Sequence, residues 1–84
     1  MSQIKKLIDK IKSNPKDMTF EEVETLLKFF SYRRKDKGKT SGSRVRFVNR
    51  FGHKIDMHKP HPGNILKDYQ IKQIRTTLER EGLI

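Results

Sequence analysis

The sequence predicts an α+β domain: a three-stranded antiparallel sheet with helices on one face, in the order α-α-β-β-β-α. Three patterns point to it. Two stretches near the N-terminus repeat apolar side chains at helical spacing, and two adjacent central stretches alternate apolar with polar residues. A further helical stripe closes the chain. A sheet covered by helices on one side leaves its other side to solvent, so the polar positions of the alternating stretches become the natural place to look for function.

In residues 3–12, "QIKKLIDKIK", Ile4, Leu7, Ile8 and Ile11 fall at offsets 0, 3, 4 and 7, one stripe of a helix. Asn14-Pro15 ends it, because the residue before a proline is pushed out of the α region. A basic amphipathic helix can also lie on a membrane. Asp9, the short length and the lack of aromatic residues favour packing against its own domain instead.

The second helix carries a start signal. Thr19 is a capping residue with Glu22 three positions on, and Met18 and Val23 are spaced for a hydrophobic staple. Phe20, Val23, Leu26, Leu27 and Phe30 form its inward face. Glu21 and Glu22 near the start and Lys28 near the end suit the helix dipole.

Three strand candidates follow: "FSYRRK" (30–35), "SRVRFVN" (43–49) and "HKIDMH" (53–58). Between the last two lies "RFG", a three-residue connection with Gly52 available for a left-handed position. Closing the hairpin there sets Phe47 against Ile55 and Val45 against Met57 on the apolar face. Val48 meets Lys54, Arg46 meets Asp56 and Arg44 meets His58 on the other. The register is chemically sensible on both faces. Residues 36–42, "DKGKTSG", form a polar loop. The last helix runs from about Lys67 to Glu81 with Ile71, Ile74 and Leu78 inward. Gly82 fits C′ and Leu83 is placed to meet Leu78, as in a Schellman ending.

The 84 residues make one domain with no internal repeat and a modest core. With no cysteine there is no disulfide, zinc-thiolate site or thiol nucleophile. No apolar run approaches membrane-spanning length and no secretory h-region precedes the first helix, which predicts a cytoplasmic protein. No P-loop, dinucleotide fingerprint, zinc-protease motif or serine-nucleophile elbow is present.

The net charge of +10 is concentrated. Residues 28–54 hold Lys28, Arg33, Arg34, Lys35, Lys37, Lys39, Arg44, Arg46, Arg50 and Lys54 against Asp36 alone, while charges nearly cancel on either side. A merely solubilising surface intersperses both signs. Segregated charge of this kind marks a polyanion-binding surface, with nucleic acid as the first partner to consider and an acidic protein as the second.

A helix, three strands and a helix is also the arrangement of double-stranded-RNA-binding domains, which read RNA by shape and phosphate contacts. From Thr19 onward the chain resembles the HicA toxin family, through "GSRVRF" at 42–47, "HKPHP" at 58–62 and the closing "LEREGLI". Residues 1–18 form an extension relative to the shorter members. The resemblance implies an mRNA interferase, a metal-independent endoribonuclease without a small-molecule cofactor, acting on RNA and neutralised by a HicB antitoxin. One departure matters: Arg44 stands where the family usually has its catalytic histidine. Either the activity is lost, leaving a non-catalytic RNA-binding module, or another histidine has taken over.

His58 is the candidate substitute, because the register sets it across the strand pair from Arg44, with Cβ atoms about 5 Å apart. Histidine can take the proton of a ribose 2′-hydroxyl. Arg44 and Arg46 can clamp the phosphate and its developing charge, with Arg46 partly engaged by Asp56. Taken alone, His58 is equally well explained as a solvated strand-end residue. His61, between Pro60 and Pro62, is a secondary catalytic candidate by its match to the family, although anchoring the turn explains it too. The spacing His58-x-x-His61 invites a metal, but there is no cysteine and a third ligand would have to be His53 or a distant carboxylate, so no metal is expected. Arg33, Arg34, Lys35, Lys37, Lys39 and Lys59 are read as phosphate-positioning charges. Ser43 either donates to phosphate or starts the strand. Tyr32, Phe29 and Phe51 are candidates for stacking on bases, with core packing favoured for Phe29 and a hairpin-tip contact for Phe51. His53, near the turn, is expected to be exposed. A third reading is a protein-interaction domain with an acidic partner.

Overall fold

A computed structural model describes residues 2–35, 44–60 and 63–84. Helix α1 spans Ser2–Lys12 and α2 spans Phe20–Phe29. Strands β1 (Arg33–Arg34), β2 (Arg44–Val48) and β3 (Lys54–His58) form one antiparallel sheet in that order, and α3 (Asp68–Arg80) closes the chain. The α-α-β-β-β-α order is the expected one. No helix among the described residues is long and apolar enough to cross a membrane.

Alternation along the strands decides which face is covered. Val45, Phe47, Ile55 and Met57 are buried, while Arg44, Arg46, Lys54, Asp56 and His58 are exposed. The buried set joins Phe20, Val23, Leu26 and Leu27 of α2 and Ile71, Ile74 and Leu78 of α3 in one core. The α1 stripe seals it from the side: Leu7 and Ile11 are buried, and Ile4 and Ile8 pack against it half-buried. Phe47, fully enclosed, stands 6.3 Å from the Phe20 ring and ties the middle strand to the start of α2. Truncating such a side chain to alanine costs about 3–5 kcal/mol.

The α2 capping box forms in full. The Glu22 amide donates to Thr19 Oγ1 at 3.1 Å, and the Thr19 amide donates to Glu22 Oε1 at 2.9 Å. Lys10 of α1 reaches the same carboxylate at 3.0 Å, so one glutamate serves both the cap and the α1–α2 contact. Burial opposes the charge on Glu22, but the Thr19 amide and Lys10 together hold its carboxyl below the usual value.

Two features were not anticipated. The expected strand 30–35 shrinks to Arg33–Arg34, because the chain leaves α2 through a Schellman ending with Ser31 in the left-handed region at φ 72°. Ser31 N–H donates to Lys28 O at 3.0 Å and Tyr32 N–H to Leu27 O at 2.9 Å, which consumes the residues that would have extended the strand. Residues 64–66 run antiparallel to 18–20: Phe20 N–H donates to Asn64 O, Leu66 N–H donates to Met18 O, and Thr19 bridges Ile65. This short pairing moors the connection from β3 to α3. The α3 ending is as expected, with Gly82 at φ 75° and the Leu83 and Gly82 amides donating to Leu78 O and Glu79 O.

Candidate functional site

The β2–β3 register is Arg44↔His58, Val45↔Met57, Arg46↔Asp56, Phe47↔Ile55 and Val48↔Lys54, residue for residue the expected one. Asn49 N–H donates to His53 O at 3.0 Å across the turn. Hydrogen-bonded and non-hydrogen-bonded pairs alternate along an antiparallel ladder, so counting from Asn49–His53 makes all three open-face pairs non-hydrogen-bonded. Those are the pairs whose side chains approach most closely. Lys35 N–H donates to Arg46 O at 2.7 Å, so the Arg46 backbone is spent on the β1 side, in agreement with that count.

Arg44 and His58 are thus exposed neighbours at one end of the hairpin. β3 is held there through the main chain: buried Gln70 of α3 donates from Nε2 to His58 O at 2.8 Å while its Oε1 accepts the Lys67 amide. The start of α3 therefore fixes the backbone that carries the imidazole. One step along, Arg46 grips Asp56 with two hydrogen bonds, Nε to Oδ1 at 2.7 Å and Nη2 to Oδ2 at 3.2 Å. Hydrogen bonding to Asp56 raises the Arg46 pKa further, and the bond from Arg46 holds the Asp56 carboxyl below its usual value, helped by the charges of Arg44 and Lys54.

The other predicted site residues divide between two sides. Arg33 pairs with Val48, and Lys35 continues that register beside Arg46, so both join the open face. Arg34 pairs with Phe47 and therefore turns to the helix side, where it stands 3.9 Å from Glu24 and 5.8 Å from the Phe20 ring centroid. The Lys59 ammonium stands over the same ring at 5.6 Å. Ser43, Lys37, Lys39 and His61 lie outside the described residues. Among the described residues no cluster of three or more His, Asp or Glu side chains could hold a metal ion.

Three expectations for the aromatic and histidine residues are corrected. Tyr32 is buried, so it is a core residue and not a stacking platform. Phe29, expected in the core, is 55% exposed at the end of α2, with its ring edge against Phe30. His53 is half-buried and engaged: its Nδ1 lies 2.7 Å from the Tyr32 hydroxyl and its Nε2 lies 3.8 Å from Glu81. The first two have different causes. Phe29 lies off the Phe20, Val23, Leu26, Leu27 and Phe30 stripe, so the phase of α2 turns it outward. Tyr32 follows the left-handed Ser31, where the turned chain carries its ring into the core. Phe51 is 84% exposed at the hairpin tip, as expected.

Two concavities lie beside β1 and the hairpin turn. A groove of about 1080 Å³ follows β1, lined by Lys28, Arg33, Arg34, Lys35 and Arg50 with Glu24 as its acid. A notch of about 370 Å³ adjoins it between Phe29 and Phe51, floored by Leu83 and Glu81. Both depend on the turned end of α2, which no sequence periodicity reports.

The fold and its surface define a small basic α+β domain whose sheet presents cations to solvent. The family model for the HicA toxin of bacterial toxin–antitoxin systems matches residues 20–82. The chain belongs to the HicA toxin family and is the toxin component of such a pair, with an antitoxin as its partner. Helix α1 precedes the matched segment. No curated protein and no solved structure matches the chain.

Proposed function

We propose that the protein binds and cleaves RNA as a metal-independent endoribonuclease of the cytoplasm, neutralised by a HicB-type antitoxin. The observation that carries this reading is the Arg44–His58 pair, two exposed side chains directly opposed across β2 and β3. The imidazole of His58 takes the proton from a ribose 2′-hydroxyl, and that oxygen attacks the adjacent phosphorus. The 5′-oxygen leaves and collects a proton, giving a 2′,3′-cyclic phosphate and a free 5′-hydroxyl. Arg44 neutralises the non-bridging oxygens as charge builds on the phosphorane. Arg46, held by Asp56, extends the clamp. Arg33, Lys35 and Lys54 attract the backbone on either side. His61, three residues beyond His58, is the proposed donor to the leaving oxygen.

The test is cleavage of a labelled RNA by purified wild type, His58→Ala and His61→Ala, with and without EDTA. The reading requires cleavage that survives EDTA and is lost with His58. A second reading rests on Arg44: by the resemblance it stands where the family usually has its histidine, which would suit a non-catalytic RNA-binding module. Wild type and His58→Ala that bind RNA alike, cleave nothing and leave a bacterial host growing would establish that alternative.

A further inference from the structure

Building on the RNA-cleaving reading, we infer that the groove beside β1 and the notch at the hairpin tip form a second subsite, specific for single-stranded RNA. Phosphates follow the groove, and one unpaired base stacks on Phe51 above the notch.

The cations of the groove continue those of the open face. Arg33 and Lys35 belong to both, since the β1–β2 register places them beside Val48 and Arg46 while their side chains line the groove. Lys28 and Arg50 extend the line beyond the sheet. The one acid lining it among the described residues, Glu24, is countered by Lys28 at 3.7 Å and Arg34 at 3.9 Å. A polyanion lying on Arg44 and Arg46 therefore meets further cations as it passes β1, with Asp56 and Glu24 each already paired to basic side chains.

The notch has a different chemistry. Phe51 is 84% exposed, with the Arg50 guanidinium 5.6 Å from its ring centroid, and Phe29 stands across the opening at 55% exposure. Leu83 supplies an apolar floor and Glu81 a carboxylate. Arg50 and Glu81 offset each other in the notch, so no charge sign dominates there, and a base offers a flat apolar face to Phe51. Bases of a duplex are already stacked on one another, so only an unpaired base can enter. The ladder from Arg44–His58 to the turn is about five residues at roughly 3.3 Å each, so this subsite is separate from the proposed catalytic pair and acts on binding.

The test uses the full chain carrying His58→Ala, so that the probe survives, and titrates it with fluorescein-labelled oligouridylate and with a labelled RNA duplex. Adding Phe51→Ala should weaken oligouridylate binding about five- to hundredfold while duplex affinity changes less than about twofold. Phe51 touches no core residue's burial, so the variant keeps its fold, checked by an unchanged melting temperature. Lys28→Ala with Arg50→Ala should flatten the salt dependence for oligouridylate by about one to two in log–log slope. Unchanged oligouridylate affinity in Phe51→Ala, or equal losses for single strand and duplex, overturns the inference. So does a Phe51→Ala protein that keeps its RNA affinity but releases a co-expressed antitoxin, which would make the notch a protein-docking site. The nuclease reading fails separately: wild type that cleaves nothing, yet binds oligouridylate through Phe51, leaves the subsite standing.

Discussion

Arg44 and His58 oppose each other directly across β2 and β3, a non-hydrogen-bonded pair on the face that the helices leave open. Residues so paired address the same point above the sheet from two strands. A histidine on either strand should then reach one bound phosphate, provided the cation moves to the other.

The exchange variant Arg44→His with His58→Arg should accordingly retain RNA cleavage within about tenfold of wild type. His58→Ala alone should lose roughly 10²- to 10⁴-fold in kcat, the usual worth of a positioned acid or base. Steady-state rates on a labelled RNA decide the matter. An exchange variant as inactive as His58→Ala would mean that position, and not cross-strand neighbourhood, sets the chemistry.

The bidentate Arg46–Asp56 pair makes a different prediction. Asp56→Asn removes the only acid on the open face among the described residues and releases Arg46 to a phosphate. RNA binding should tighten and its log–log salt slope steepen by about one. The turnover of bound RNA should fall, because Arg46 loses the partner that orients it. The linkage sign is that of a depressed carboxyl: the pair is complete above the ordinary carboxylate value and lost as pH falls through the lower folded value. In acid, wild type should therefore drift toward the salt slope of Asp56→Asn, and a slope unmoved by either change would remove Arg46 from the clamp.

Ser31 offers a test of local strain. It occupies the C′ position of α2 at φ 72°, where a side chain with Cβ costs roughly 1 kcal/mol or more relative to glycine. Ser31→Gly should raise stability by about 0.5–1 kcal/mol after the extra freedom of the unfolded chain is subtracted. Thermal unfolding should shift upward by a few degrees, on the order of 2–6 °C. A lowered melting temperature would mean that the serine is held there by something other than backbone geometry.

What could be read in advance follows from which forces are local. Period-two alternation in 43–49 and 53–58, with Gly52 between them, was enough to set the register. Slipping by one residue would have turned Arg44 and Arg46 inward and Val45 and Phe47 outward. The Thr19–Glu22 box and the Gly82–Leu83 ending were legible because their partners sit three to five residues apart. The end of α2 is not: Ser31 carries no glycine signal, so nothing in the segment announces the turn that buries Tyr32. Gln70 holding His58, and Asn64 and Leu66 pairing with Phe20 and Met18, are long-range bonds between side chain or backbone groups that no pattern within a segment encodes. The basic groove and the notch inherit that illegibility, since both are shaped by the turned chain between α2 and β1.

Tyr32 and His53 give the last prediction, because their contact joins β1 to the hairpin turn under the end of α3. With Glu81 Oε2 3.8 Å from Nε2, the ring proton is favoured on that nitrogen, which leaves Nδ1 to accept from the phenol at 2.7 Å. Burial, and after it the charge of Glu81, raises the phenol pKa above its ordinary 10.0. A raised folded value means that the contribution is complete below pH 10 and declines as pH climbs through the folded value, since the unfolded chain loses its proton first. Tyr32→Phe removes the hydrogen bond and leaves Nδ1 without its partner, a cost of about 1 kcal/mol near neutral pH. Phenylalanine does not titrate, so the variant escapes the alkaline loss. The melting-temperature gap between wild type and Tyr32→Phe should therefore be several degrees at pH 7 and narrow toward about pH 11. A gap that stays constant or widens with alkalinity would show that the hydroxyl is neither as enclosed nor as firmly paired as its position beneath α3 requires.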